Sequence, residues 1–269
     1  TKLDQEISTE AFDDGLIGVI TLNRPERHNA LTLAMWRQFA ESVRAFGERA
    51  ACRVLIVRGA GERAFASGAD LHELASHRQT VQGAAAHHAV VEDAFSALTA
   101  IEQPVIAMIH GYCIGGGCEL AVACDLRVAD DHAQFGIPAA KLGIVLGVDE
   151  LRRLIGLVGV AKAKEILVTG RRLDAGEALR IGLVNQVVPA EDLEETTLAL
   201  ARQIAENAPT AVVATKALLN AIGRETPSGE LAALQRTFVE RADRVAESHD
   251  RINAFVTRRV RPSQASELS

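Results

Sequence analysis

Residues 103–129 read QPVIAMIHGYCIGGGCELAVACDLRVA. Pro104 opens a continuous apolar run, Val105 to Ile109, with the length and composition of a buried strand. Three consecutive glycines follow, Gly115, Gly116 and Gly117. The next residues, Cys118 to Cys124, are small, mostly apolar and free of breakers, which predicts a buried helix. A strand, a glycine turn and a helix together aim unpaired backbone N–H groups at an anion, and the helix dipole favours negative charge there. Glycine also lets a ligand approach the backbone closely. Glu119 falls one turn inside that helix start, beside whatever binds. The plainer alternative for the same residues is a tight turn with a glutamate paired to the dipole. Two phosphate-binding motifs are excluded. Leu120 stands where the third glycine of G-x-G-x-x-G belongs, and no Gly-Lys-Ser/Thr follows.

Outward from this stretch, composition sets bounds. The chain has 269 residues, 48% hydrophobic and 24% charged, the make-up of a soluble globular protein. A net charge of −6 argues against a general nucleic-acid binder, so an anionic ligand must meet a local basic patch. The first ten residues have no apolar signal core and no run reaches membrane-spanning length, so no membrane partner is expected. Cys52, Cys113, Cys118 and Cys124 form no C-x-x-C pair and read as small buried thiols in a reducing, cytoplasmic setting. His72, His77, His87 and His88 offer no convincing ligand set, so no metal is assigned.

Upstream, Glu6–Phe12 and Leu16–Leu22 read as strands around the turn signal Asp13-Asp14-Gly15. Thr32 is a candidate N-cap for a helix with Leu33, Trp36, Phe39, Ala40, Val43 and Phe46 on one face. Val54–Val57 is a short buried strand. The segment AFASGADLHEL, 64–74, is a second small-residue turn before a helix, and a second place where N–H groups could converge. Residues 75–88 read as exposed helix and loop, and Val90–Ile101 as an amphipathic helix. Downstream come strands at Asp125–Ala129 and Leu183–Val188, and helices at 149–157 and 161–168. A short helix from 174, capped by Asp174, precedes the second of these strands. From Glu191 the chain reads as almost entirely helical, with one helix at 209–223 and two more over 229–259, and no internal repeat is evident. The expected organisation is an α/β core over 1–195 and a helical C-terminal region over 196–269.

Five segments carry a resemblance: ITLNRPERHNAL at 20–31, AFASGADLHEL at 64–74, HGYCIGGGCELAVACDLRVA at 110–129, FGIPAAKLGI at 135–144 and GLVNQVV at 182–188. Through them the chain resembles the crotonase superfamily, the enoyl-CoA hydratase/isomerase family. The resemblance implies a spiral of ββα units, with C-terminal helices that assemble trimers or hexamers. It implies an acyl-CoA thioester as substrate and no cofactor beyond the CoA carried by that substrate. Backbone N–H groups at Ala69 and Gly116 would form an oxyanion hole for the thioester enolate, and Glu119 would match one catalytic glutamate. Ser67, Gly68, Asp70, Leu71 and Gly115 would frame the acyl-CoA turns, with Arg24, Arg27 and His28 bordering the nucleotide, where arginine pairs well with phosphate.

Two departures stand out. The family's second glutamate follows Pro138, but this chain has Ala139. Where hydratases carry a Pro-Gly-x-Gly-Gly loop, it has Leu146-Gly147-Val148-Asp149-Glu150. Either Asp149 or Glu150 supplies a replacement acid/base, or both only cap and solvate a helix start. The expected function is an enoyl-CoA hydratase. The alternatives are an isomerase or other lyase of the same fold using Asp149 or Glu150, or a non-catalytic acyl-CoA binder. A Ser67–Asp70–His72 hydrolase triad is rejected, since Phe65 occupies the first glycine position of G-x-S-x-G.

Overall fold

The computed structural model describes residues 6–244 together with 249, 251–253 and 256. In chain order the elements are β1 (Ile7–Phe12), β2 (Ile17–Leu22), α1 (Leu33–Gly47), β3 (Val54–Gly59), β4 (Ala64–Ala66), α2 (Leu71–His77), α3 (Val81–Ala100), β5 (Val105–Ile109), β6 (Tyr112–Ile114), α4 (Gly116–Ala123) and β7 (Leu126–Asp130). They continue as β8 (Gln134–Gly136), α5 (Val148–Thr169), β9 (Leu173–Asp174), α6 (Ala175–Arg180), β10 (Gln186–Val188), α7 (Leu193–Ala205), α8 (Pro209–Gly223) and α9 (Ser228–Arg244). Contacts divide the chain between Glu206 and Asn207 into two compact units.

In the first unit the strands form two sheets, ordered β1-β2-β3-β5-β7-β10 and β4-β6-β8-β9. The large sheet is parallel except for the β1–β2 hairpin. Successive turns of chain each send one strand to each sheet: β3 then β4, β5 then β6, β7 then β8. This is a spiral of ββα units, a repeat carried by geometry that leaves no trace of self-similarity in the sequence. The corner between the sheets is tight. Gly111, with φ +56°, sits where a Cβ would stand 2.2 Å from Arg63 O, so only glycine fits.

Side-chain alternation along the strands builds cores on both faces of the large sheet. Leu55, Val57, Val105, Ala107 and Ile109 face the main core with Trp36, Phe39, Phe65 and Phe95. Val54, Ile56, Ile106 and Met108 face the opposite side, where Leu193 and Ala201 of α7 cover them. This packing makes α7 part of the first unit, so the compact core runs to Glu206 rather than 195. The second unit consists of helices, with α8 against α9. The expected second helix beyond α9 lies almost wholly outside the described residues.

Local signals place most element starts. Thr32 Oγ1 accepts the Met35 N–H at 3.1 Å, and Asp174 Oδ1 accepts that of Glu177 at 2.7 Å. The helices expected at 149–157 and 161–168 are joined as α5 across a kink at Gly159, φ +74°. Three expectations change. The helix read from Val90 begins at Val81, capped by Thr80 Oγ1 on the Gly83 N–H at 3.0 Å; its first turns are largely exposed, so they carry no apolar period. The strand read over Leu183–Val188 is paired only over Gln186–Val188. The central stretch holds an extra strand, β6, and its helix starts two residues early, at Gly116.

Buried Arg127 fixes the far end of that helix. Its Nε donates to Leu183 O at 2.8 Å. Nη1 donates to Cys124 O at 2.7 Å and Ala121 O at 3.3 Å, and Nη2 reaches Asn185 Oδ1 at 3.4 Å. The guanidinium thereby adds donors at the C-terminal end of α4, where helical N–H groups run out. Arg127→Met removes these donors and strands several buried acceptors. It is expected to cost about 3 kcal/mol or more of stability, read as a lower urea midpoint.

Candidate active site

Two backbone turns meet at the start of α4. Leu31 N–H donates to Gly68 O at 2.8 Å and Asp70 N–H to Leu31 O at 2.9 Å, an arrangement that leaves the Ala69 N–H unused by either bond. Gly116 and the next two residues form the first turn of α4, where N–H groups have no intrahelical acceptor. The turns are nearly in contact. A Cβ at Gly116 would lie 3.8 Å from Ala69 N, and one at Gly68, φ +101°, would lie 3.0 Å from Ile114 O and 3.3 Å from Gly116 N. Gly115, φ +54°, lets the chain turn into the helix. The sequence-predicted residues Gly68, Ala69, Gly115 and Gly116 are thus brought together.

Asp70 caps α2, accepting the His72 N–H at 3.1 Å and the Glu73 N–H at 3.3 Å. It also pairs with Arg24 at 3.2 Å. Arg24 bonds Glu6 at 3.2 Å and Ala30 O at 2.9 Å as well, so its guanidinium braces the turn from inside. Arg27 is exposed, and its carbonyl accepts from Ser67 Oγ at 3.5 Å. His28 lies edge-on to Tyr112, ring centroids 6.1 Å apart. Leu71 is exposed at the mouth of the turn.

Glu119, on α4, is largely withdrawn from water. Burial, reinforced by the negative charge of Glu150 and opposed by the positive charge of Arg153, pushes its carboxyl up to about 7. The two carboxylates of the 146–150 loop part company. Asp149 is exposed and ion-paired with Arg152. Glu150 is buried; its carboxylate accepts the Gly147 N–H at the start of α5. His88 closes on the same spot: a Cβ at Gly147 would lie 2.9 Å from Glu150 Oε2 and 3.6 Å from the His88 ring. Glu150 therefore caps the helix, and its charge is felt at Glu119. Ala139 is buried in a 3-10 turn after Pro138 and brings no polar atom on its side chain.

The sequence reading missed the site's floor. Trp36 packs edge-on against Phe95, centroids 5.5 Å apart, and its ring is 3.4 Å from a Cβ placed at Gly116. Arg153 lies over Phe95, Cζ 5.2 Å from the ring centroid. Its three-residue spacing from Glu150 on one helix was the available signal. The cysteines are buried and form no disulfide among the described residues, and burial pushes the Cys113 thiol well up, so it stays protonated. No group of three or more potential metal ligands occurs among the described residues. Nor is any described helix long and apolar enough to cross a membrane.

A carboxyl whose folded pKa stands near 7 against 4.5 ordinarily binds more protons folded than unfolded between those values, so its charge erodes stability as pH rises through that window. Glu119→Gln is therefore expected to raise the melting temperature at about pH 8, by up to about 3 kcal/mol of stability, with the gain vanishing near pH 4. Thermal melts of both proteins across that range check it.

Comparison with known proteins places this geometry. The family model described as enoyl-CoA hydratase/isomerase matches residues 13–262. The short-chain-enoyl-CoA hydratase of Clostridium acetobutylicum is 38% identical over 207 residues, 77% of this chain and 78% of the relative. The crotonyl-CoA hydratase of Syntrophomonas wolfei is 37% identical over 204 residues, 76% and 78% of the two chains. The crystal structure of an enoyl-CoA hydratase from Bacillus anthracis superposes with a TM-score of 0.87 at 34% identity, over 94% of this chain and 97% of that one. With two glycine turns apposed at the head of a helix bearing a buried glutamate, on a spiral of ββα units, the chain belongs to the enoyl-CoA hydratase/isomerase family of the crotonase superfamily.

Proposed function

We propose that this enzyme adds water across the double bond of a 2-enoyl-CoA thioester, using Glu119 and Glu150 as its two carboxyl groups. The observation that carries the reading is the buried Glu119 carboxyl held near neutrality beside a second carboxylate, at the head of the helix that begins with Gly116. The thioester oxygen sits between the Ala69 and Gly116 N–H groups, whose dipoles are already oriented for the negative charge that develops in the enolate. Two carboxyl groups sharing one proton divide the work: one takes a proton from the attacking water while the other delivers one to the α-carbon. Glu150 thus stands in for the glutamate that Ala139 replaces, and Asp149, spent on Arg152, takes no part. The names of the hydratase relatives support the same reaction.

The substrate's CoA lies along the 24–28 and 67–71 turns. Arg27 and His28 face its phosphates, since Arg24 is engaged within the protein. No further cofactor takes part. Exposed Leu219, Ile222 and Val239 on the C-terminal helices support assembly into trimers or hexamers, and four buried thiols outside any disulfide support a cytoplasmic setting.

Hydration of crotonyl-CoA, followed by loss of the conjugated thioester absorbance, tests the reading. Glu119→Gln and Glu150→Gln are each expected to lower kcat by about 10²–10⁴-fold, with Asp149→Asn near wild type. Full activity in Glu150→Gln would overturn its role. Turnover of 3-enoyl-CoA but not crotonyl-CoA would make the enzyme an isomerase, and tight binding without turnover of either would make the chain a binder. Gly68→Ala forces a methyl between the turns at a φ that suits only glycine, and is expected to lower kcat about 10²-fold with a smaller change in KM.

A further inference from the structure

We propose that Arg153 is a positioning residue: it is the counter-cation that fixes the charge of the Glu119–Glu150 pair, and so decides which carboxyl holds the proton when acyl-CoA is bound. This rests on the hydratase reading above for its consequence, but not for its chemistry. Arg153 follows Glu150 by three residues on α5, which sets the two side chains on one face of the helix. Its guanidinium is drawn inward over Phe95, the ring that packs against Trp36 and hence against the Gly116 turn. Nη2 is shut off from solvent with no hydrogen-bond partner among the described residues. A guanidinium nitrogen desolvated without a hydrogen bond is costly unless negative charge nearby compensates it. The π face of Phe95 supplies part of that compensation, and on the proposal the Glu119–Glu150 pair supplies the rest.

The other charges around α4 do not do this work. Of the elements packed against it, β4 carries no titratable side chain. β6 offers Tyr112 and Cys113, neither a cation, and the Cys113 thiol donates to Gly117 O at 3.6 Å. α3 carries His87, His88, Glu92 and Asp93; Asp93 is paired with Arg44, His87 lies against His77, and His88 faces the Gly147–Glu150 cap. α5 brings Glu150 and Arg153, the two charges felt at Glu119, with opposite sign. Remove the cation and the like-charge repulsion is unopposed, so Glu119 holds its proton to higher pH.

Two readouts separate this role from simple packing. The first is titration of the Glu119 side-chain carboxyl by carbon-13 NMR, assigned with Glu119→Gln. The second is the pH profile of crotonyl-CoA hydration. Arg153→Met is expected to move the Glu119 midpoint upward by about one pH unit or more and to lower kcat about tenfold near neutral pH, with KM changed less. Arg153→Lys, which keeps the charge, is expected to return the midpoint to near its wild-type position. Arg153→Gln serves in place of Arg153→Met if that variant does not fold. An unmoved Glu119 midpoint in a folded neutral variant overturns the proposal, as does an equal shift in Arg153→Lys. If the wild type hydrates no enoyl-CoA, the hydratase reading fails, and the NMR titration still decides the part played by Arg153.

Discussion

Two stretches of main chain meet in this protein with no room for a side chain between them. A Cβ at Gly117 would stand 2.4 Å from Ala66 O, and one at Gly68 would stand 3.0 Å from Ile114 O. That approach seats the first turn of α4 directly on β4. It fixes where the unpaired N–H groups of the helix start, and it fixes the rotation of the helix that carries Glu119. Arg127 secures the other end through the C-terminal carbonyls. A helix of only eight residues has little stability of its own. Held at both ends, it becomes a rigid mount, which is what a site built to tolerances well under an ångström requires.

The electrostatics follow from that mounting. Glu119 is carried on α4 into partly buried surroundings, where an isolated carboxylate is disfavoured. Glu150 adds a second negative charge from α5 but is itself supported by the Gly147 N–H and the positive end of that helix. The two glutamates thus sit in unequal surroundings. One accepts a backbone N–H at a helix start, the other is held near the point of ionisation. Such an inequality is what acid/base chemistry at neutral pH requires of a carboxyl pair, and it is the basis of the reaction proposed above.

The strands, the helix starts and the two glycine turns were legible in the chain because each rests on a local cause: apolar runs, capping side chains, and glycines at positive φ. The start of α3 was not, because a largely exposed helical stretch such as 81–89 has no apolar period to read. The ββα repeat was not either. Its units are alike in path rather than in residue type, so no self-comparison of the sequence finds them. Of the candidate site, the glycine turns and the place of Glu119 in the first turns of α4 were readable from the sequence, whereas Trp36 and Arg153 looked like an ordinary core aromatic and an ordinary helix arginine.

By itself the sequence determined which backbone could come close, since only glycine admits the contacts at 68, 111 and 117. It could not say whether Asp149 or Glu150 turned inward, because adjacent residues at a helix start differ by about 100° in direction and that rotation is set by packing. The tertiary structure decided it. Leu154 and Glu150 share the buried side of α5, which leaves Asp149 in solvent with Arg152 and sets Glu150 and Arg153 beside Glu119. Residue identity follows from the chain, but the mutual field of three charges on two helices exists only once those helices are packed.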